Sequence, residues 1–308
     1  MPIEEVDQIW MNGALVPWAD ARFHVLSHAL HYGSGVFEGI RAYSTARGPA
    51  VWHLDAHLDR MFASAAIYHM EIPYSKDELI QATKEAIRAN GLDACYIRPI
   101  AFRGYGEMGV NPLNAPIDVV IAVWPWGAYL GEEALEQGVR VKVSSWKRHD
   151  QNSLPSAGKA TGAYLGSILA KVESLKAGYD EAIMLNQHGH VAEGSGENVF
   201  VVTHGGLVTP PTDVGCLAGV TRNAVITIAR GLGYEIQERN LVRTDLYLAD
   251  EVFFTGTAAE LTPIREVDDR VVGAGHRGPV TKELQDAFFS ATKGENPTYA
   301  GWLTYVND

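Results

Sequence analysis

Cysteine, net positive charge and long apolar runs are all scarce in this chain. Its 308 residues include 2 cysteines, Cys95 and Cys216, in no spaced motif. This pattern predicts reduced thiols and a cytoplasmic setting rather than a disulfide framework. The 25 basic residues are outnumbered by 37 acidic ones, and the formal charge of −12 disfavours nucleic-acid phosphates and anionic lipid. We therefore expect no nucleic-acid partner. No secretory signal and no run of about 18 apolar residues is visible, so we expect no membrane span either.

The remaining composition is that of a globular protein with room for two domains. Apolar residues make up 46% and charged residues 20% of the chain, which is ordinary for a folded domain. Strand and helix patterns mix throughout, which predicts an α+β fold. Pro125 and the glycines that follow it interrupt the pattern. We therefore predict a small N-terminal α/β domain over 1–125, an interdomain loop over 126–133 and a larger mixed-sheet domain over 134–308.

Local patterns predict the elements that carry the candidate site. Asn12-Gly13 between apolar runs predicts a hairpin. Asp55 is a candidate cap for a helix ending near Met70, and Arg60 lies off its apolar stripe like a solvated arginine. Further helices are predicted over 75–90, from the 159 loop to 176, and over 221–232 and 279–292. Predicted strands cover 94–102, 117–124, 139–144, 181–186, 198–203, 235–239 and 251–255.

Histidines near the first glycine-rich stretch do not suggest a metal. His24, His28 and His31 precede Gly33, but no cysteine or carboxylate set completes a zinc site with them. We therefore expect no metal ion.

A lysine in unusual surroundings is the strongest candidate for chemistry. Every residue from Ser156 to Ala163 other than Lys159 is small. Small flanking residues let a flat, bulky ligand approach the ammonium and the backbone N–H groups. A solvated loop lysine is the alternative, and the rest of the chain decides between them.

Three further stretches supply the partners that such a ligand needs. Glu193 lies in a glycine-rich turn, Gly219 and Thr221 stand where a helix begins, and Thr257 follows a predicted strand. The start of a helix suits a phosphate, although Thr221 could equally be a plain capping residue. An amine, a carboxylate and a phosphate site together indicate pyridoxal phosphate, whose aldehyde forms a Schiff base with lysine.

Several stretches together make the chain resemble the branched-chain amino acid aminotransferases, of the fold-type-IV pyridoxal-phosphate class. They follow the family's order from Tyr32 to Glu260. The stretches are Tyr32-Gly33, Val36-Phe37-Glu38-Gly39-Ile40-Arg41, Tyr96-Ile97-Arg98-Pro99, Met108-Gly109-Val110-Asn111-Pro112, Ala157-Gly158-Lys159, Glu193-Gly194-Ser195-Gly196-Glu197-Asn198, Leu217-Ala218-Gly219-Val220-Thr221-Arg222 and Gly256-Thr257-Ala258-Ala259-Glu260.

The resemblance implies a role for each matching residue. Lys159 would hold the cofactor and move a proton, and Glu193 would keep the pyridine nitrogen protonated. Tyr164 would hydrogen-bond the phenolic oxygen, and Leu217 would pack on the ring. The phosphate would be held by Arg60, Gly219, Val220, Thr221 and Thr257.

The same resemblance implies a substrate pocket and an oligomer. Tyr96 would lie near the substrate α-carboxylate, and Arg98 would receive the side chain of glutamate. The remaining pocket residues would be Phe37, Trp126 and Tyr129, the backbone N–H groups of Thr257 and Ala258, and Tyr32 and Val110 from a neighbouring copy. The implied active unit is a homodimer, with a trimer of dimers left open.

The implied reaction is reversible transfer of the amino group between leucine, isoleucine or valine and 2-oxoglutarate. Enzymes on the same fold that use D-amino acids or R-amines, and aminodeoxychorismate lyase, are the alternatives. A non-catalytic binder of a phosphorylated ligand is a further alternative, but binding needs no Schiff base and leaves Lys159 unexplained.

Overall fold

The chain forms two compact units that are not continuous in sequence. A computed structural model describes residues 3–127, 130–131 and 133–308. The first unit comprises Met1–Trp126, Gly158–Ala163 and Ser290–Asp308, and the second comprises Gly127–Ala157 and Tyr164–Phe289. The sequence boundary over 126–133 stays a prediction. What it did not anticipate is that the lysine segment and the last residues belong to the first unit.

Seventeen strands are found in the described part of the chain. They are β1 (Gln8–Met11), β2 (Ala14–Pro17), β3 (Gly35–Phe37), β4 (Ile40–Thr45), β5 (Gly48–Trp52), β6 (Cys95–Arg103), β7 (Ile117–Trp124), β8 (Val139–Lys147), β9 (Glu181–Leu185), β10 (Val191–Gly194), β11 (Asn198–Thr203), β12 (Gly206–Thr209), β13 (Ile236–Glu238), β14 (Glu251–Gly256), β15 (Glu260–Val267), β16 (Arg270–Val271) and β17 (Leu303–Tyr305).

Helices lie between these strands. They are α1 (His28–Tyr32), α2 (Leu54–Ile67), α3 (Lys76–Ala89), α4 (Ala134–Gln137), α5 (Tyr164–Lys176), α6 (Val220–Gly231), α7 (Arg243–Tyr247) and α8 (Pro279–Thr292). Short 3₁₀ turns cover Trp18–Asp20, Thr161–Ala163, Thr212–Val214 and Pro297–Trp302.

The first unit is built on an eight-stranded antiparallel sheet. The strand order is β17-β5-β4-β6-β7-β1-β2, and β3 also pairs with β6. The predicted hairpin is confirmed, since Asn12 and Gly13 both have positive φ, as a two-residue turn between twisted strands requires. Helices α2 and α3 bury an apolar face in the same core, which includes Leu58, Met61 and Leu79. Each fully buried side chain of this kind stabilises the fold by about 1.5–3 kcal/mol.

The second unit is built on a nine-stranded mixed sheet. Its order is β10-β9-β8-β15-β14-β11-β12-β13, with β16 on β15. Strand β8 runs parallel to β9 and β15, whereas β11 and β14 are antiparallel. The register sets Asn198, at the start of β11, opposite Thr255, near the end of β14. The turn that follows Glu193 and the turn after β14 therefore meet at one end of this sheet.

Most predicted elements are confirmed, and the α+β class with them. The N-terminal cap of α2 is wrong: His53, with φ of 50°, precedes Leu54, so Asp55 lies inside the first turn, and the helix ends at Ile67 rather than near Met70. Helix α3 begins with the capping box of Ser75 and Glu78. Among the described residues, no helix is long and apolar enough to cross a membrane.

Candidate active site

Lys159 is fixed through both of its backbone groups. Its N–H donates to the Ser64 hydroxyl at 3.0 Å, and its carbonyl accepts from the Phe37 N–H at 3.1 Å. The lysine Nζ lies 5.0 Å from the centre of the Phe37 ring. A Cβ on Gly158 would come within 2.9 Å of the Tyr68 ring. The glycine before the lysine is therefore required by packing inside the protein as well as by ligand access.

Arg60 is ion-paired and not solvated as its position off the apolar stripe suggested. Its Nε and Nη2 donate to the two oxygens of Glu38, each at 2.7 Å, and its side chain is 13% exposed. His57 Nδ1 donates to the same carboxylate at 2.7 Å. His57, Arg60 and Ser64 recur at helical spacing, so one face of α2 carries all three.

The charges of this cluster follow from its burial. Burial opposes ionisation of Glu38, but the Arg60 charge and the hydrogen bonds from Arg60 and His57 outweigh it and hold the pKa of Glu38 well below its usual range. Burial lowers the pKa of His57, although the Glu38 carboxylate acts the other way. His57 is thus neutral at pH 7, and Arg60 keeps the net charge of the pair at zero.

Aromatic rings surround the predicted substrate arginine. Tyr96 lies 5.1 Å from both Trp124 and Trp126, centre to centre. Arg98 lies 4.8 Å above the Phe37 ring, and its Nη2 donates to the Tyr96 hydroxyl at 3.3 Å. The expectation that Tyr96 and Arg98 share one face of their strand is confirmed.

The guanidinium of Arg98 lacks a carboxylate partner in the described part of the chain. Its Nε is buried and makes no hydrogen bond there. A half-buried arginine with a buried, unpartnered Nε favours an anion from outside the chain over a structural salt bridge.

The remaining predicted pocket residues of the first unit are exposed. Tyr32 is 47% and Val110 94% exposed. The Tyr32 ring packs 4.5 Å from that of His28, whose Nε2 lies 2.7 Å from the Gly109 carbonyl. Tyr129 lies outside the described residues.

Glu193 is held in place by two groups of the second unit. Arg148 Nη2 lies 2.8 Å from its Oε1, and the Leu217 N–H donates to its Oε2 at 3.0 Å. Arg148 is itself tied to the Gly215 carbonyl through Nε. Each carboxylate oxygen thus has one donor from the protein and retains capacity to accept another.

The start of α6 has the features that a phosphate requires. Gly219 is the N-cap, so Thr221 is the second helical residue and the plain-cap interpretation of Thr221 is wrong. A Cβ on Gly219 would lie 2.1 Å from Asn198 Oδ1, and Asn198 Nδ2 donates to the Leu217 carbonyl. This site therefore requires glycine, and the helix presents its first N–H groups and positive dipole end.

The turn after β14 contributes a further polar group. Thr255 Oγ1 is buried and has no hydrogen-bond partner in the described part of the chain. Thr257 and Ala258 follow it and are half-buried, as is Tyr164, the first residue of α5.

Comparison with known proteins identifies the family. The Amino-transferase class IV model matches residues 35–267. The branched-chain-amino-acid aminotransferase of Pseudomonas aeruginosa is 51% identical over 97% of this chain and 97% of its own length. The solved Escherichia coli branched-chain aminotransferase is 51% identical, with a TM-score of 0.97 over 98% of this chain and 100% of that one. The chain belongs to the class IV aminotransferases.

Another solved relative bears on the cofactor. A T.th. branched-chain aminotransferase in complex with N-(5′-phosphopyridoxyl)-L-glutamate is 50% identical, with a TM-score of 0.95 over 98% of this chain and 99% of that one. The residues of the present class IV aminotransferase fit such a group. Lys159 offers an amine, Glu193 a carboxylate with capacity to accept a further hydrogen bond, and the Gly219 end of α6 an anion site.

Sequence reasoning gave no role to several residues that organise these sites. Glu38, His57 and Ser64 act on Arg60 and Lys159, and Arg148 acts on Glu193. A polar stripe at helical spacing along the otherwise apolar α2 is a signal that could have identified His57 and Ser64. The pairings of Glu38 and Arg148 are long-range and left no local signal.

Proposed function

We propose that this class IV aminotransferase reversibly transfers the amino group between leucine, isoleucine or valine and 2-oxoglutarate. The products are the branched 2-oxo acids and L-glutamate, and the cofactor is pyridoxal 5′-phosphate. The observation that carries the proposal is Lys159, anchored at both backbone groups in a chain half identical to branched-chain aminotransferases along nearly its full length. Such anchoring fixes the backbone position from which the flexible side chain presents its amine.

The cofactor, when bound, supplies an aldehyde for the amino group and a ring that withdraws electrons from the substrate Cα. Lys159 would hold the cofactor through Nζ and would carry the proton that moves between the substrate Cα and the cofactor. Glu193 would hold a proton on the ring nitrogen, because its two protein donors leave lone pairs available. Tyr164 would donate to the phenolic oxygen, and Leu217 would pack on the ring.

The phosphate is held by charge and by backbone N–H groups. Arg60 is oriented by Glu38, and the first turn of α6 contributes Gly219, Val220 and Thr221. Thr257 supplies a further hydroxyl. Since the Glu38–Arg60 pair is neutral as a whole, these groups bind the phosphate through oriented N–H and O–H donors and the positive end of the α6 dipole.

Substrate selection rests on an apolar enclosure with one cation. Phe37, Tyr96 and Trp126 suit a branched aliphatic side chain, and Arg98 beside them suits the second carboxylate of glutamate. The substrate α-carboxylate lies on the N–H groups of Thr257 and Ala258. One enclosure can thus accept both kinds of amino donor in turn.

A panel of amino donors tests the reaction. With 2-oxoglutarate as acceptor, kcat/KM should be highest for leucine, isoleucine and valine. Higher values with D-amino acids or R-amines would replace the proposal by one of the other enzymes on this fold.

Substitution of Arg98 tests the selection of glutamate. We expect Arg98→Leu to slow the half-reaction with glutamate much more than that with leucine, because leucine has no second carboxylate. Single-turnover rates with each substrate measure the difference. An equal fall for both would mean that Arg98 only supports the architecture.

We also propose that the active unit is a homodimer. Helix α5 buries small residues (Ser167, Ala170 and Ser174) and exposes a row of large apolar ones. The exposed row is Leu165, Ile168, Leu169, Val172 and Leu175. Apolar surface of this extent marks a contact with another chain. Tyr32 and Val110 are also exposed, which suits residues that reach the substrate pocket of a second copy.

Light scattering at assay concentration tests the dimer. A fully active monomer would contradict it, and a particle of six chains would favour a trimer of dimers.

For the location we propose the cytoplasm, since Cys95 and Cys216 are buried free thiols. Cell fractionation tests that point.

A further inference from the structure

The turn that carries Glu193 also carries a second buried carboxyl. Glu197 ends the glycine-rich turn between β10 and β11 and is 4% exposed. Its Oε2 accepts from the Gly196 N–H at 3.0 Å, and its carbonyl accepts from the Gly194 N–H at 2.6 Å. A Cβ on Gly194 would lie 2.7 Å from that same Oε2. Glu197 therefore fills the inside of the turn that Glu193 opens.

The charged groups around Glu197 do not balance if every carboxyl is ionised. Burial, the Glu181 carboxylate and, more weakly, the Glu193 carboxylate all act against its negative charge, while Lys171 and the Gly196 N–H favour it. Lys171 lies 2.6 Å from Glu181, and Arg148 lies 2.8 Å from Glu193. Three buried carboxyls thus face two ion-paired cations.

No cation in the described part of the chain is ion-paired to Glu197 itself. On its other side lies β14, where Gly256 packs against the Glu197 side chain and the Phe254 ring packs against Gly194. Neither residue titrates or carries a charge. An isolated buried carboxylate is costly, so the group that lacks a cation is the one that retains a proton.

We propose that Glu197 is an uncharged carboxylic acid at neutral pH and a positioning residue for Glu193. In this form it supports the turn without competing for Arg148 and without placing a second negative charge beside Glu193. Burial and the two neighbouring carboxylates raise the pKa of Glu197 to about 8, in agreement with the arrangement. The inference deepens the proposed function, because it rests on Glu193 as the partner of the ring nitrogen.

Acid–base titration of the cofactor-free protein tests the charge state of Glu197 and requires no activity measurement. Wild type should release about 0.8 proton per chain more than Glu197→Gln between about pH 7 and 9, since a neutral amide cannot titrate. Glu173→Gln is the matched control. Hydrogen bonds from Ser144 and Ser145 outweigh burial and lower the pKa of Glu173, so this variant should match wild type over the same range.

Coinciding titration curves for wild type and Glu197→Gln would overturn the assignment. If Glu197→Gln fails to fold, infrared spectra of wild type with ¹³C-labelled glutamate provide the same information. A carbonyl band of a protonated carboxyl at pH 7 that disappears by about pH 9 supports the proposal, and its absence at pH 7 overturns it.

The positioning role is tested in the cofactor-loaded enzyme. Glu197→Ala should lose activity at pH 7. Glu197→Gln should retain most of the wild-type activity, because glutamine has the same shape and is also uncharged. Above about pH 8, kcat/KM of wild type should fall relative to Glu197→Gln by up to roughly tenfold per pH unit. An extra titrating proton with a flat activity ratio would overturn the link to Glu193. A lack of transamination in wild type would instead contradict the proposed function and leave the proton count unaffected.

Discussion

Each of the two units contains a buried glutamate–arginine pair among its described residues. In the first unit, Arg60 donates to Glu38 at 2.7 Å, and in the second, Arg148 lies 2.8 Å from Glu193. The residue types and the distances are nearly the same. What differs is the number of other donors on each carboxylate and the other partners of each arginine.

The Glu38 carboxylate accepts three hydrogen bonds, and the Glu193 carboxylate accepts two. Glu38 receives two N–H groups from Arg60 and one from His57, and it is fully buried. Glu193 has one donor on each oxygen, and Arg148 is held by the Gly215 carbonyl as well. In the proposed function, the first pair orients an arginine for an anion, whereas the second orients a carboxylate for a proton donor. The two pairs therefore differ in which member is placed to meet the ligand in the proposed function.

Loss of Lys159 should give the largest fall in turnover, against which the effects of substitutions in both pairs are compared. Lys159→Ala should lose turnover almost entirely and lose the visible absorption of cofactor bound to the lysine, since no other group supplies that amine. Absorbance spectra and steady-state rates measure this. Lys176→Ala, at the end of α5, is the control and should behave as wild type. Near-normal transamination by Lys159→Ala would remove the basis for comparing the two pairs.

The next largest effect should come from Glu193, the carboxylate with remaining capacity. Glu193→Gln should still bind cofactor but raise the barrier by about 2–3 kcal/mol, because an amide cannot hold a proton on the ring nitrogen as a carboxylate does. Pre-steady-state rates with leucine measure it. Glu266→Gln removes a carboxylate from another arginine pair, Arg140–Glu266 at 2.7 Å, and should leave the rate unchanged. A wild-type kcat in Glu193→Gln would contradict the role of Glu193 and, with it, the difference between the two pairs.

Substitution of Glu38, the more heavily hydrogen-bonded carboxylate, should act on binding and stability more than on turnover. Glu38→Gln should weaken cofactor affinity roughly tenfold, about 1.4 kcal/mol, because Arg60 loses its orientation. It should also lower the free energy of unfolding by about 3 kcal/mol, as expected when a buried pair loses one member. Titration of the cofactor-free protein and urea unfolding measure these. Asp308→Asn, in the exposed Arg47–Asp308 pair, should change little.

The same variant has a pH signature with a definite sign. The pKa of Glu38 is lower in the folded protein than in the unfolded chain. Its contribution to stability is therefore fully present above the ordinary pKa of glutamate and is lost as the pH falls through the lower folded value. The stability gap between wild type and Glu38→Gln should stay constant near neutrality and narrow only in acid. A gap that widens in acid would contradict the assignment.

Local sequence signals accounted for much of this molecule. The Asn12-Gly13 turn and the apolar periodicities gave most element bounds, because these depend on neighbouring residues. The helix entrance at Gly219 was also visible as an anion site. The resemblance to a family added the identity of the cofactor, which spacing alone could only suggest.

The pairings that give each arginine its purpose could not be obtained in this way. Glu38 and Arg60 are 22 residues apart. Arg148 directly follows β8 and Glu193 lies on β10, and β9 separates these two strands in the sheet. The position of Arg60 off the apolar stripe of α2 predicts a solvated side chain. In the structure, Glu38 lies on that side of the helix and pairs with Arg60. Periodicity indicates which face of a helix is apolar and not what faces the polar side.

The smallest effect should come from the hydroxyl that anchors the lysine, and it tests whether the first unit is organised around Lys159 as well as around Arg60. Ser64→Ala leaves the Lys159 N–H without its acceptor, which should cost about 1 kcal/mol and reduce kcat/KM roughly fivefold. Ser174→Ala is the matched control, since Ser174 is equally buried and its hydroxyl has no partner in the described part of the chain. Steady-state kinetics and urea unfolding on both variants separate the two contributions. If both lose stability equally and neither loses activity, Ser64 is a packing residue, and the anchoring of Lys159 must be assigned to the Phe37 N–H alone.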